Sequence, residues 1–190
     1  SNDSEDSPQN SVPEPPAVLS LWDDSPDRAP QFQVVASEAD ELLTAAYESE
    51  DDGDLETAID CYHAILARDE PRADIHFQLG ELLYRIDEVI AARERYYSAI
   101  EIDPDYVEAR ASLGCVLVET GQIELAIAAF RGALSLYDDY TDVHYNLARV
   151  LDDTGREVES KHHWQRFLQL SPDSPWAEEA ISRINAIDQL

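Results

Sequence analysis

Few residues in this chain have the type and spacing that chemistry would need. His162 and His163 follow Glu159 within one helical turn, a set that could be imagined as metal ligands. Neighbouring positions on a helix point in different directions, however, and no second cluster completes a ligand set. These histidines are expected at the surface or between helices, and no metal or cofactor is expected. Cys61 and Cys115 stand in no CxxC spacing and beside no base, so both read as small, helix-borne apolar residues in a reducing cytoplasm. The acidic pairs Asp138-Asp139 and Asp152-Asp153 fall where helical patterns end, which is ordinary ground for carboxylates. The glycines form no phosphate-cradling loop, because five of the six follow a long period. An enzyme is not expected.

That period is thirty-four residues, and it supplies the elements. Small residues recur as Ala46, Gly80, Gly114, Ala148, as Gly53, Asp87, Gly121, Gly155, and as Ala58, Ala92, Ala126, Ser160. An aromatic recurs without exception as Tyr62, Tyr96, Phe130, Trp164, and Leu66, Ile100, Leu134, Leu168 follow it. Repeat ends fall at Glu70, Pro104, Asp138 and Pro172. Four repeats, about 39–72, 73–106, 107–140 and 141–174, each read as two helices joined by a tight turn. Small residues facing small residues are expected to let the helices approach, with the aromatics filling space between repeats. Ser174 as N-cap and Pro175 at the first helical position predict a closing helix over 175–188. The fold class is all-α, a solenoid, which needs such a cap because each repeat buries its face only against a neighbour.

Composition narrows the partners. Thirteen basic against 41 acidic residues leave a net charge of −28, so direct nucleic-acid binding is not expected. No apolar run is long enough for a membrane span, and the acidic start is unlike a signal peptide. Twelve of the basic residues are Arg and only Lys161 is Lys, a balance similar to that of salt-tolerant bacteria. The lack of Met and the Ser-Asn start read as a segment of a longer chain. Residues 1–36 hold six of the ten prolines, seven acids and one Arg, which predicts a tail or linker disordered unless docked. Two apolar islands interrupt it, at Val18 to Trp22 and at Phe32 to Val35. The folded domain is expected over 37–190.

The columns resemble the tetratricopeptide repeat family, most fully in the second repeat with Leu79, Gly80, Leu83, Ala92, Tyr96, Ala99 and Pro104. The first repeat departs most, with Ser49 in an apolar column and an acidic run, Glu48 to Asp54, that would loosen its turn. His76 and His144 stand where the family often has Trp. The stretches DVHYNLAR (142–149), HWQRFL (163–168) and SPDSPWAE (171–178) resemble, more weakly, the C-terminal repeat module of bacterial multidomain regulators with a MerR-type domain upstream. The family resemblance implies a right-handed superhelix whose first helices line a groove for peptides or helices. Mapped onto this chain, that groove would hold Leu43, Tyr47, Phe77, Gln78, Glu81, Tyr84, Cys115, Tyr145, Asn146 and Arg149. A lip of one acid per repeat would comprise Asp40, Asp74, Glu108 and Asp142. Asn146 and Arg149 fit the family's clamp for acidic C-termini, but its lysines are absent here.

The implied role is a non-enzymatic protein-binding scaffold, one module of a larger regulatory protein. Its partner would carry apolar anchors, held by Phe77, Tyr84 and Tyr145, and a basic flank. Two alternatives stand beside it: the acidic lip is a plain solvated face, or the module self-associates with its own or a neighbour's tail in the groove.

Overall fold

A computed structural model describes residues 37–189 except Asp69. Among the described residues the chain forms nine α-helices and no strand. They run as pairs: α1 (Glu38–Asp51) with α2 (Leu55–Leu66), α3 (Ala73–Arg85) with α4 (Val89–Ile102), α5 (Val107–Glu119) with α6 (Ile123–Leu136), and α7 (Thr141–Asp153) with α8 (Glu157–Leu170), followed by α9 (Ala177–Ile187). Each pair packs on the next, and α9 packs on α8.

The aromatic column is the core: Tyr62, Tyr96, Phe130 and Trp164 are all 1% exposed or less. It also bears on the small column. A Cβ on Gly80 would come within 2.7 Å of the Tyr96 ring, and one on Gly114 within 2.4 Å of the Phe130 ring. In the second and third repeats the small residue of the first helix therefore makes room for the aromatic of its own repeat.

Turns within the pairs share one conformation. Gly53, Asp87, Gly121 and Gly155 have φ of 78°, 66°, 73° and 72°, the left-handed region in which a Cβ is strained. The acidic run does not loosen the first turn: Gly53 N donates to Glu50 O at 3.0 Å and Asp54 N to Ser49 O at 2.8 Å, as Gly121 N does to Val118 O at 3.0 Å and Gln122 N to Leu117 O at 2.8 Å. Ser49 meets its apolar column by donating Oγ to Ala45 O at 2.8 Å. Asp87 alone carries a side chain in this bend. Asp87→Gly is expected to stabilise the protein by about 0.5 kcal/mol, the relief of strain being partly offset by the greater freedom of unfolded glycine. A urea titration against wild type checks this.

The closing helix begins at Ala177 rather than Pro175. Ser174 Oγ accepts from Trp176 N at 3.2 Å and Ala177 N donates to Ser174 O at 3.0 Å, so the first residues form a tight turn before α-helical bonding starts. Ala180 is buried with Ala148, Trp164 and Phe167, and Ile184 and Ile187 pack against that cluster. Ile181 is half exposed.

Candidate peptide groove

The first helices lie side by side and are tied together. Ser112 of α5 donates to Glu81 of α3 at 2.9 Å, and Tyr84 of α3 donates its hydroxyl to Glu119 of α5. Asn146 Nδ2 of α7 lies 3.6 Å from Cys115 Sγ of α5, and Tyr145 of α7 donates to Glu179 of α9 at 2.7 Å. Of the mapped residues, Glu81, Tyr84, Cys115, Tyr145, Asn146 and Arg149 thus line hollows between successive helices.

Tyr47 and Tyr84 are exposed, and Leu43, Gln78, Glu81, Cys115 and Asn146 are half-buried. Phe77 and Tyr145 are more committed to the fold. Phe77 lies 5.0 Å from Tyr106 and 6.0 Å from Tyr96, centroid to centroid. Tyr145 sits among Trp164, Phe167 and Trp176 at 5.4, 5.4 and 6.0 Å, with the Arg149 guanidinium 5.6 Å over its ring. The lip divides likewise. Asp40 closes a capping box with Ser37, and hydrogen bonding to Ser37 holds its carboxyl below the usual range. Asp74 is gripped by Arg72 at 2.9 and 2.8 Å, which also lowers its carboxyl. Glu108 and Asp142 are exposed.

A ladder of engaged carboxylates escaped the sequence reading. Tyr62 donates its hydroxyl to Glu50 at 2.6 Å, Tyr96 to Glu81 at 2.7 Å, and Trp164 Nε1 to Asp152 at 2.9 Å. Each repeat whose core aromatic has a polar tip also supplies an acid from its first helix to receive it. The spacing of twelve from Glu50 to Tyr62 and from Asp152 to Trp164 recurs in the sequence, but it belongs to no single-helix period. In the second repeat that position is Tyr84, and the acid comes one turn earlier, from Glu81.

A tetratricopeptide repeat family model matches residues 43–107 and again 112–175. The chain belongs to the tetratricopeptide repeat family. Among solved structures it is similar to the MamA protein (TM-score 0.73, 21% identity, covering 80% of this chain and 81% of that one). It is also similar to YrrB, described as having an unusual peptide-binding site (0.68, 19%, 78% and 76%), and to a repeat protein of Parabacteroides merdae (0.72, 16%, 80% and 60%). At these identities the likeness is one of fold. No curated protein matches the chain.

The other chemical residues of this tetratricopeptide chain find structural settings. Burial first, then the charges of Glu119, Glu81 and Asp142, push the Cys115 thiol up to about 11, so it stays protonated and is no nucleophile near neutrality. His162 and His163 join no group of three or more ligating side chains among the described residues. His163 instead pairs with His144, which is 1% exposed. Their Nδ1 atoms lie 2.9 Å apart, and His144 Nε2 lies 2.6 Å from the Asp138 carbonyl. A carbonyl only accepts, so His144 carries its proton on Nε2 and receives a second bond from His163 Nδ1–H. Among the described residues no helix is long and apolar enough to cross a membrane.

Proposed function

We propose that this chain is a binding scaffold that holds a peptide or helix with apolar anchors and a basic flank along its first-helix face, as one module of a larger regulatory protein. The concentration of acid around the middle of that face supports it: Glu81, Glu119 and Asp142 all raise Cys115, and Glu108, Asp142 and Glu81 all raise Tyr140. Such a field favours a cationic partner and speeds its encounter. The chain's own tail fits less well as occupant, since residues 1–36 carry seven acids and one Arg. That segment, with its expected disorder, lies outside the described residues.

Short fluorescent peptides combining Leu or Phe with Lys test the proposal, beside peptides in which Glu replaces Lys. The basic set should bind, tightening at least about fivefold when salt falls from 0.3 to 0.05 M, and the acidic set should not. Equal binding of both sets, or of neither, would overturn the reading.

A further inference from the structure

The carboxylate ladder is interrupted once, in the third repeat, and the interruption leaves a hollow. Phe130 has no polar tip, and the positions that hold Glu50 and Glu81 in earlier repeats are here Val118 and Cys115. Phe130 is locked against Gly114, where no Cβ could fit. Val118, Cys115 and the Phe130 ring therefore floor a pocket of about 310 Å³ between α3, α5 and α7. Its rims differ in charge. On the α3 side stand Tyr84 and Glu119, joined by a hydrogen bond, with Glu81 in the adjoining hollow. On the α7 side stand Asn146, Arg149 and Asp153, a cation and a carboxylate together, and Arg149 makes no ion pair among the described residues, only its contact with Tyr145.

We infer that this hollow is the anchor pocket of the groove, taking one Leu-, Ile- or Phe-sized side chain of a basic peptide whose cation lies toward Glu81 and Glu119 and away from Arg149. The inference rests on the groove reading above and adds both the subsite and the direction. A desolvated apolar pocket ringed by polar groups is where binding energy concentrates in protein interfaces. The charge gradient across its rims fixes the order of the ligand: a lysine on the α7 side would meet Arg149 as well as Asp153, whereas one on the α3 side meets two carboxylates and no cation of the pocket. Elsewhere in the groove the core aromatics present carboxylate-bonded tips, which would leave an apolar side chain beside charge.

The test rebuilds the missing rung. Val118→Glu with Phe130→Tyr reproduces in repeat three the Glu50–Tyr62 pair of repeat one, so the fold should persist, as a thermal melt by circular dichroism checks. The double variant is more negative than wild type, so a purely electrostatic groove would hold a lysine peptide more tightly. An anchor pocket would lose it instead. The probes are short synthetic peptides with one Leu or Phe beside paired lysines, made in both chain orders, with fluorescence anisotropy as readout. Wild type is expected to prefer one order, and the double variant to bind that peptide at least about 30-fold more weakly. Val118→Thr, which keeps the shape and adds a hydroxyl, carries the same test in an undisturbed core and should weaken binding about fivefold. Leu125→Gln, on an exposed site of α6, should change nothing. Wild-type binding that both pocket variants leave intact would overturn the pocket and leave the groove reading standing. No binding by wild type would overturn both.

Discussion

Asp152→Ala is expected to lower stability by about 3 kcal/mol, a large effect for a residue that reads from the sequence as a turn acid. The Asp152 side chain is only 9% exposed. It accepts from Trp164 Nε1 at 2.9 Å and from Ser160 Oγ, and both donor residues are fully buried. Alanine would strand two buried donors, at about 1–3 kcal/mol each, and water entering the gap would recover part. The sign separates this account from a surface one. A carboxylate in the last turn of a helix opposes the macrodipole and adds to the self-repulsion of a chain at −28, so a solvated acid here would leave stability unchanged or improved on removal. Asp153, exposed beside it, supplies the control, and Asp153→Ala should lie within about 0.5 kcal/mol of wild type. Asp152→Asn, which keeps an acceptor, should fall between. Urea unfolding followed by tryptophan fluorescence measures all three, and equality of the two alanine variants would refute the ladder as a stabilising element.

The parts of this protein that were legible in its sequence are those a thirty-four-residue period repeats without change. Tyr62, Tyr96, Phe130 and Trp164 announce a buried column because each recurs in register, and the glycines at 53, 121 and 155 announce turns because a left-handed bend has few other solutions. The residues expected to line a groove were legible only by their repeat columns. What each does there depends on a partner across the helix pair, and those partners change from repeat to repeat. Glu81 looks like a free groove acid, and Asp152 like a turn acid, until Tyr96 and Trp164 are seen to occupy them. Phe77 and Tyr145 look like open anchors until Tyr106 and Trp176 are seen beside them. The pairing of His144 with His163 joins residues nineteen apart on different helices, a spacing at which the other repeats place Cys61, Arg95 or Ala129, so no column marks it.

That histidine pair is expected to make the fourth repeat the acid-labile end of the solenoid. Burial, then the positive neighbours His144, His162 and Arg131, push His163 down to about 4. Burial also lowers His144, against the opposing pull of the Asp138 carbonyl and carboxylate. In the unfolded chain both would titrate near 6.5. Below that value the unfolded state binds protons that the folded state refuses, so stability is full above about pH 7 and declines as pH falls, levelling once His163 itself protonates near 4. Carboxylates ordinarily titrate near 4, so between pH 7 and 5 the many acids stay charged and the histidines dominate the slope. His76, whose buried Nδ1 has no partner among the described residues and which burial and Arg95 also lower, adds to the same trend from the second repeat. After allowance for the water that reaches His163, the loss from pH 7 to pH 5 is expected to be about 2 kcal/mol, or a fall of roughly 6 °C in the melting midpoint. His163→Gln can still donate an amide hydrogen to His144 Nδ1 but cannot titrate, and it should remove at least half of that fall. Fluorescence of Trp164, next to His163 and buried, should report the transition, and an unchanged slope in His163→Gln would show that the pair is not its source. Because His144 precedes Tyr145 and His163 precedes Trp164, the same protonation event would loosen the α7 end of the groove before the first three repeats open, and peptide affinity should decline with pH along the same curve.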